Sequence, residues 1–177
     1  CGTDTHTFFE LPKDEARKTL GWEQNGKYVL FAGAFENKVK NYALAQKAVA
    51  LANGCQLIEL KGYNRVQVNL LMNACDCLLM TSEREASPMV IKEAMLCGCP
   101  IVSVDVGDVK DIISGIAGCF IARREPEDIA DKLLHTFELR ERTDGRNRII
   151  QSGLDLSDIA RRIRNIYEDV CKIHAKK

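Results

Sequence analysis

The sequence predicts an α/β fold: a Rossmann-like, doubly wound parallel sheet of about five strands, followed by a helical C-terminal tail. Three observations lead there. Short β-rich runs alternate with helical stretches along most of the chain, and each run is nearly continuous in apolar residues, as strands covered on both faces are. From Glu127 onward the pattern is helical only. Repeated strand, helix, strand units imply parallel pairing through right-handed crossovers, and a count of five fits the order 2-1-3-4-5.

The strands are expected at Tyr28 to Ala32, Gln56 to Leu60, Cys77 to Thr81, Ile101 to Val104 and Cys119 to Ala122. Helices are expected between them at about Tyr42 to Asn53, Val66 to Ala74, Pro88 to Cys97 and Val109 to Ser114. The tail reads as Ile129 to Leu139, a short piece ending near Ile150, and Ser157 to Ile173, with Ile159, Ile163, Ile166 and Val170 on one stripe. That last helix should pack on the sheet edge or reach toward something outside the chain. No internal repeat or low-complexity tract divides the sequence.

At 177 residues, 46% of them hydrophobic and 28% charged, the chain can build one globular domain but not two complete ones. Lys plus Arg equals Asp plus Glu at 25 each, so no bulk charge draws it to nucleic acid or an anionic membrane. A charged ligand must be held locally. Apolar stretches such as Tyr28 to Phe35 fall far short of the roughly 20 residues that cross a bilayer, and no signal segment opens the chain. The expectation is a soluble, cytoplasmic protein without a membrane segment. Of eight cysteines, Cys75 with Cys77 and Cys97 with Cys99 form Cys-x-Cys pairs outside the usual C-x2-C zinc frame, and they read as small hydrophobes at strand starts. No metal is expected.

In an open α/β sheet ligands bind at the carboxyl ends of the strands, so the turns after Ala32, Thr81 and Val104 are where chemistry should sit. After Thr81, Ser87 reads as an N-cap and Pro88 as the first helical residue, which would turn the free amides of Met89 and Val90 toward an anion such as a diphosphate. Glu93 stands among Met89, Val90, Leu96 and Cys97, an apolar setting that makes an ionised carboxylate costly. A ribose diol could satisfy it, or it could reach solvent or pair with a lysine. Glu85 precedes the same helix, where a carboxylate is stabilised by the dipole and where surface acids are also routine.

After Ala32, Asn41 can cap the next helix, which places Lys40 just outside a helix N-terminus facing the same crevice. A bound phosphate would offset the dipole penalty on that ammonium; a solvated loop lysine is the alternative. Gly33 opens this turn. Gly98 reads as a helix C-terminal residue, and Gly107 either admits a ligand to the backbone or merely permits a turn. His6, His135 and His174 have no acid or nucleophile at useful spacing, and no G-x-S-x-G, Walker or G-x-G-x-x-G motif is present.

The stretch Glu85-Ala86-Ser87-Pro88-Met89-Val90-Ile91-Lys92-Glu93-Ala94-Met95, continuing through Gly98-Cys99-Pro100, resembles the hallmark of the retaining group 1 (family 4) glycosyltransferases of the GT-B fold. Cys1-Gly2-Thr3-Asp4 with Phe8 or Phe9, then Ala16-Arg17 and Leu20-Gly21, is similar to the opening of that family's C-terminal domain. The resemblance implies that residues 1–177 form the donor-binding half of a two-domain enzyme, with 1–26 as the inter-domain segment, 155–177 as the C-terminal helix, and an N-terminal acceptor domain absent. It implies that Glu85 bonds donor-sugar hydroxyls, Glu93 the ribose, and Lys40 the diphosphate, with Gly33, Ser87, Met89, Val90 and Gly107 completing the donor site. Glu85 and Lys40 would be the catalytic pair.

Two departures stand out. An arginine is usual six residues before the lysine, but Ala34 stands there, leaving Lys38 or Arg84 as the candidate second cation. Ala86-Ser87 replaces the usual Gly-Phe, and the stretch from Gln56 to Asp76 is a strand short of the family pattern. The resemblance implies transfer of a sugar from a nucleotide-diphosphate sugar to an acceptor with retention of configuration, as in polysaccharide biosynthesis, with no cofactor. The rivals are a non-catalytic nucleotide-binding module of the same fold, which Ala34 favours, and a sugar-nucleotide 2-epimerase, for which the chain lacks a set of acids and bases.

Overall fold

The computed structural model describes residues 2–139 and 142–174. Cys1 of the opening motif and residues 175–177 of the expected C-terminal helix lie outside the described residues. Five parallel strands, β1 (Lys27–Phe31), β2 (Cys55–Glu59), β3 (Cys77–Met80), β4 (Ile101–Val104) and β5 (Cys119–Ala122), form one sheet in the order β2-β1-β3-β4-β5. The strands sit within a residue of where the apolar runs place them. β3 and β4 are buried throughout, while β2 and most of β5, at the edges, are half-exposed, so continuous hydrophobicity marks the centre most clearly.

The crossovers are α2 (Tyr42–Leu51), α3 (Arg65–Ala74), α4 (Met89–Leu96) and α5 (Val109–Ile113). A single helix and no strand joins β2 to β3, as the short Gln56 to Asp76 stretch suggests. After β5 come α6 (Pro126–Phe137), α7 (Gly145–Gln151) and α8 (Leu156–His174). α6 packs on α2, and α7 packs on α4. The core runs through the central strands, with Leu30, Leu78, Leu79, Ile101 and Val102 fully buried between Ala48 and Met95 of the helices.

The first 26 residues contain a helix that the sequence reading left out, α1 (Lys13–Leu20). It is fixed from a distance. Arg17, 4% exposed, sends its guanidinium to both oxygens of Asp76 at 3.1 and 3.0 Å and its Nε to the Ala74 carbonyl at 2.9 Å. Asp76 also accepts the Tyr28 amide at 2.7 Å, so one carboxylate ties α1 to β1 and to the start of β3. Upstream, Phe9 and Leu11 donate their amides to Asn69 and Asn73, buried asparagines one turn apart on α3.

α8 leaves the body of the fold. From Ala160 to Lys172 every residue is exposed, including Ile163, Ile166 and Tyr167 on the expected apolar stripe. It does not pack on the sheet edge. Among the described residues no helix is long and apolar enough to cross a membrane.

Candidate functional site

β1 ends at Phe31, and the chain turns through Gly33 into a 3-10 turn at Lys38–Lys40. Asn37 opens that turn by accepting the Val39 amide at 3.1 Å, and Asn41, in the left-handed region at φ 53°, caps α2 by accepting the Leu44 amide at 3.3 Å. Lys40 therefore stands just before a helix N-terminus, at the carboxyl edge of the sheet. Thr81, immediately after β3, donates its hydroxyl to the carbonyls of Lys40 and Asn41 at 2.8 and 3.0 Å. The Glu83 amide reaches the Val39 carbonyl at 2.8 Å. These bonds hold the loops after β1 and β3 side by side.

Across them Lys40 Nζ donates to Glu85 Oε1 at 2.7 Å, with about a fifth of each side chain exposed. Two residues 45 apart in sequence, each ambiguous alone, form one ion pair. Gly33 makes room for it: a Cβ there would lie 2.8 Å from Lys40 Cγ, so the lysine stem crosses the bare glycine on its way to Glu85.

The start of α4 differs from the sequence expectation. Pro88, not Ser87, is the N-cap, with extended backbone and no side-chain cap, and Met89 is the first helical residue. Ser87 is not free to cap because its hydroxyl donates to Asp108 Oδ2 at 2.6 Å and accepts from Lys92 Nζ at 2.6 Å. Met89 and Val90 occupy the first two helical positions, so their amides lack helical partners and face the carboxyl edge. Lys92 and Asp108 escaped the sequence reading. The available signal was a lysine whose neighbours three and four residues away are Pro88, Met89, Met95 and Leu96.

Gly107 follows β4 in the left-handed region at φ 57°. What approaches its missing side chain is protein backbone: a Cβ would lie 2.5 Å from the Ala86 carbonyl oxygen. The Asp108 amide donates to that same oxygen at 3.1 Å, so the β4–α5 turn is seated against the loop that carries Glu85.

Glu93 is half-buried on α4, and its carboxylate has no hydrogen bond or ion pair among the described residues. No lysine pairs with it; Lys92 turns to Ser87 instead. Burial pushes the Glu93 pKa up, with the charge of Arg65 partly opposing. Lys38 and Arg84, the candidate second cations, lie exposed on the loops that bear Lys40 and Glu85.

A separate cavity of about 470 Å³ lies at the opposite, amino-terminal edge of the sheet, lined by Glu10, Lys13, Asp76, Pro100 and Arg142 among others. Its cations are already engaged, Lys13 by Asp76 and Arg142 by the carbonyls of Met72 and Asn73. The carboxyl edge, which carries the Lys40–Glu85 pair and the unpaired amides at the start of α4, is the stronger candidate.

The sequence profile described as "Glycosyl transferases group 1" matches residues 30–139, from within β1 past the end of α6. The chain belongs to the group 1 glycosyltransferases. Among curated proteins none matches this sequence. Solved structures share the fold at low identity: sucrose-phosphate synthase from Thermosynechococcus elongatus, with a TM-score of 0.83 and 17% identity, covers 98% of this chain and 52% of its own. A glycosyltransferase from Rickettsia africae matches at a TM-score of 0.77 and 15% identity, over 97% of this chain and 56% of its own. HepE from Anabaena, in complex with UDP-glucose, matches at 0.74 and 20%, over 95% and 56%. This group 1 chain thus spans about half the length of the structures it resembles.

Proposed function

We propose that the chain is the donor-binding domain of a glycosyltransferase that moves a sugar from a nucleotide-diphosphate sugar to an acceptor with retention of configuration. The observation that carries the reading is the Lys40–Glu85 pair, set at the carboxyl edge between the N-termini of α2 and α4. An anion arriving there meets an ammonium and the unpaired amides of Met89 and Val90. Lys40 moves from Glu85 to the diphosphate and stabilises the charge that develops as the sugar departs. Glu85, released, accepts hydrogen bonds from sugar hydroxyls. Glu93, half-buried and unpartnered, suits a ribose diol, whose two hydroxyls would answer both carboxylate oxygens.

Metal is not required in this scheme, because the ammonium and the helix amides supply the positive field. HepE, which shares the fold, is seen with UDP-glucose, and that makes the same ligand a suitable probe. The acceptor would be oriented by an N-terminal domain that this chain does not include. Holding acceptor and anomeric carbon in near-attack geometry contributes on the order of 7 to 11 kcal/mol, so this chain alone is expected to bind donor and transfer nothing.

The test is titration of the chain with UDP and UDP-glucose. Lys40→Ala should weaken diphosphate binding by about 1.5 to 3 kcal/mol, the range of a charge-assisted hydrogen bond. Equal affinity would make Lys40 a loop residue and remove the core of the proposal. Transfer assays with the acceptor domain present then separate a transferase from a non-catalytic nucleotide-binding module, and the anomeric configuration of the product decides retention.

A further inference from the structure

The loop before α4 and the turn after β4 are joined by a chain of side chains that the donor site does not itself use. Lys92, on the second turn of α4, is 2% exposed. Its ammonium donates to Ser87 Oγ, and that hydroxyl donates onward to Asp108 Oδ2, each bond 2.6 Å long. Among the described residues Lys92 has no other hydrogen bond and no ion pair. The second Asp108 oxygen, Oδ1, is buried without a partner.

This is an expensive arrangement. A buried ammonium is tolerated only when its charge is answered, and an apolar side chain of similar volume would fill the same space without that cost. Here the answer is a bridged ion pair, in which a hydroxyl accepts from the cation and donates to the carboxylate, so each bond polarises the other. What the bridge joins is specific. Ser87 lies two residues after Glu85, and Asp108 directly follows Gly107. The same two segments meet again where the Asp108 amide bonds the Ala86 carbonyl at 3.1 Å and where Gly107 lets that carbonyl approach.

We infer that Lys92 is a positioning residue: acting through Ser87 and Asp108, it fastens the Glu85 loop to the β4–α5 turn and so sets where the Glu85 carboxylate meets Lys40. Its consequence for donor binding rests on the function proposed above; the fastening of the loop does not.

Lys92→Met keeps the volume and removes the charge. Two readouts are needed, amide hydrogen exchange and titration with UDP-glucose. Exchange at the Asp108 amide should accelerate on the order of tenfold while the amides of β3 and β4 keep their parental rates, the signature of a local opening. UDP-glucose affinity should fall on the order of tenfold, as a small misplacement of a binding group allows. In a Glu85→Ala background the same change should cost little, because the route runs through Glu85.

Unchanged exchange at Asp108, or acceleration spread evenly through β3 and β4, would reduce Lys92 to an ordinary core residue. Unchanged affinity, or losses that add fully with Glu85→Ala, would sever the link to Glu85. A parent protein that binds no UDP-glucose defeats the donor reading, and the exchange experiment still decides the fastening. Should Lys92→Met not fold, Asp108→Asn, at a half-exposed position, takes its place with the same expected directions, and parental exchange and affinity in that variant overturn the inference.

Discussion

Gly107→Ala tests whether a glycine at the carboxyl edge serves as a spacer between two loops. Two costs follow from its surroundings. At φ 57° an alanine sits in the left-handed region, which costs roughly 1 to 2 kcal/mol. Its Cβ would also lie 2.5 Å from the Ala86 oxygen and 2.9 Å from that of Glu85, so the backbone must retreat by about 0.9 Å to reach ordinary contact. Because the obstacle is main chain, no rotamer relieves it. The retreat stretches the Asp108 to Ala86 hydrogen bond, which contributes about 0.5 to 1.5 kcal/mol. Together these predict a loss of about 1.5 to 3.5 kcal/mol, or roughly 3 to 14 °C in Tm for a chain of this size. Gly21→Ala is the control, since φ there is 69° but nothing lies within 4 Å of the added Cβ, leaving the conformational cost alone. Urea denaturation of both variants isolates the contact by difference, with UDP-glucose titration as the functional readout. If the two variants lose equal stability and Gly107→Ala binds UDP-glucose like the parent, the loop contact has no energetic weight and the reasoning fails.

In Gly33→Ala the added Cβ collides with the Lys40 stem, so diphosphate affinity should drop toward that of Lys40→Ala, and the double variant should be no worse than the single; a further drop would refute the shared route. For Glu93, burial raises the folded pKa, so its favourable contribution is complete below the unfolded value of about 4.3 and is lost as pH rises through the folded one. Glu93→Gln should therefore match or exceed the parent in stability at pH 7, converge with it toward about pH 4, and bind nucleotide more weakly. A large fall in Tm with unchanged binding would assign Glu93 to a structural role. Asp76→Ala strands the buried Arg17 guanidinium and should cost about 3 to 5 kcal/mol in urea denaturation, whereas a loss under about 1 kcal/mol would show that α1 is held by other contacts.

The strands were legible because each is a compact apolar run, and a count of five parallel strands fits the order 2-1-3-4-5 that the sheet adopts. α1 was not, since Lys13 to Leu20 is mostly polar and its anchor, Asp76, lies 59 residues beyond Arg17. The same distinction governs the site. Asn41 was read correctly as a cap because its partner is three residues away. Ser87 was misread for the opposite reason: local rules made it a cap, while Asp108, 21 residues on, claims its hydroxyl. Lys40 and Glu85 were each visible at the ends of β1 and β3, but only the adjacency of those strands turns them into a pair. Lys92 was invisible to any rule that places lysines at the surface.

One connection changes how the domain responds to load. Thr3 donates its amide to the Leu154 carbonyl and accepts the Leu156 amide, both at 2.9 Å, and Gly2 packs so closely that a Cβ would lie 2.7 Å from Leu156 Cα. The segment leading into the fold and the root of α8 are therefore clasped together. Tension applied through both would fall first on this two-bond clasp and not on the sheet. While the clasp holds, the load passes from one segment to the other without crossing the strands; once it opens, the same load must travel through the fold between them.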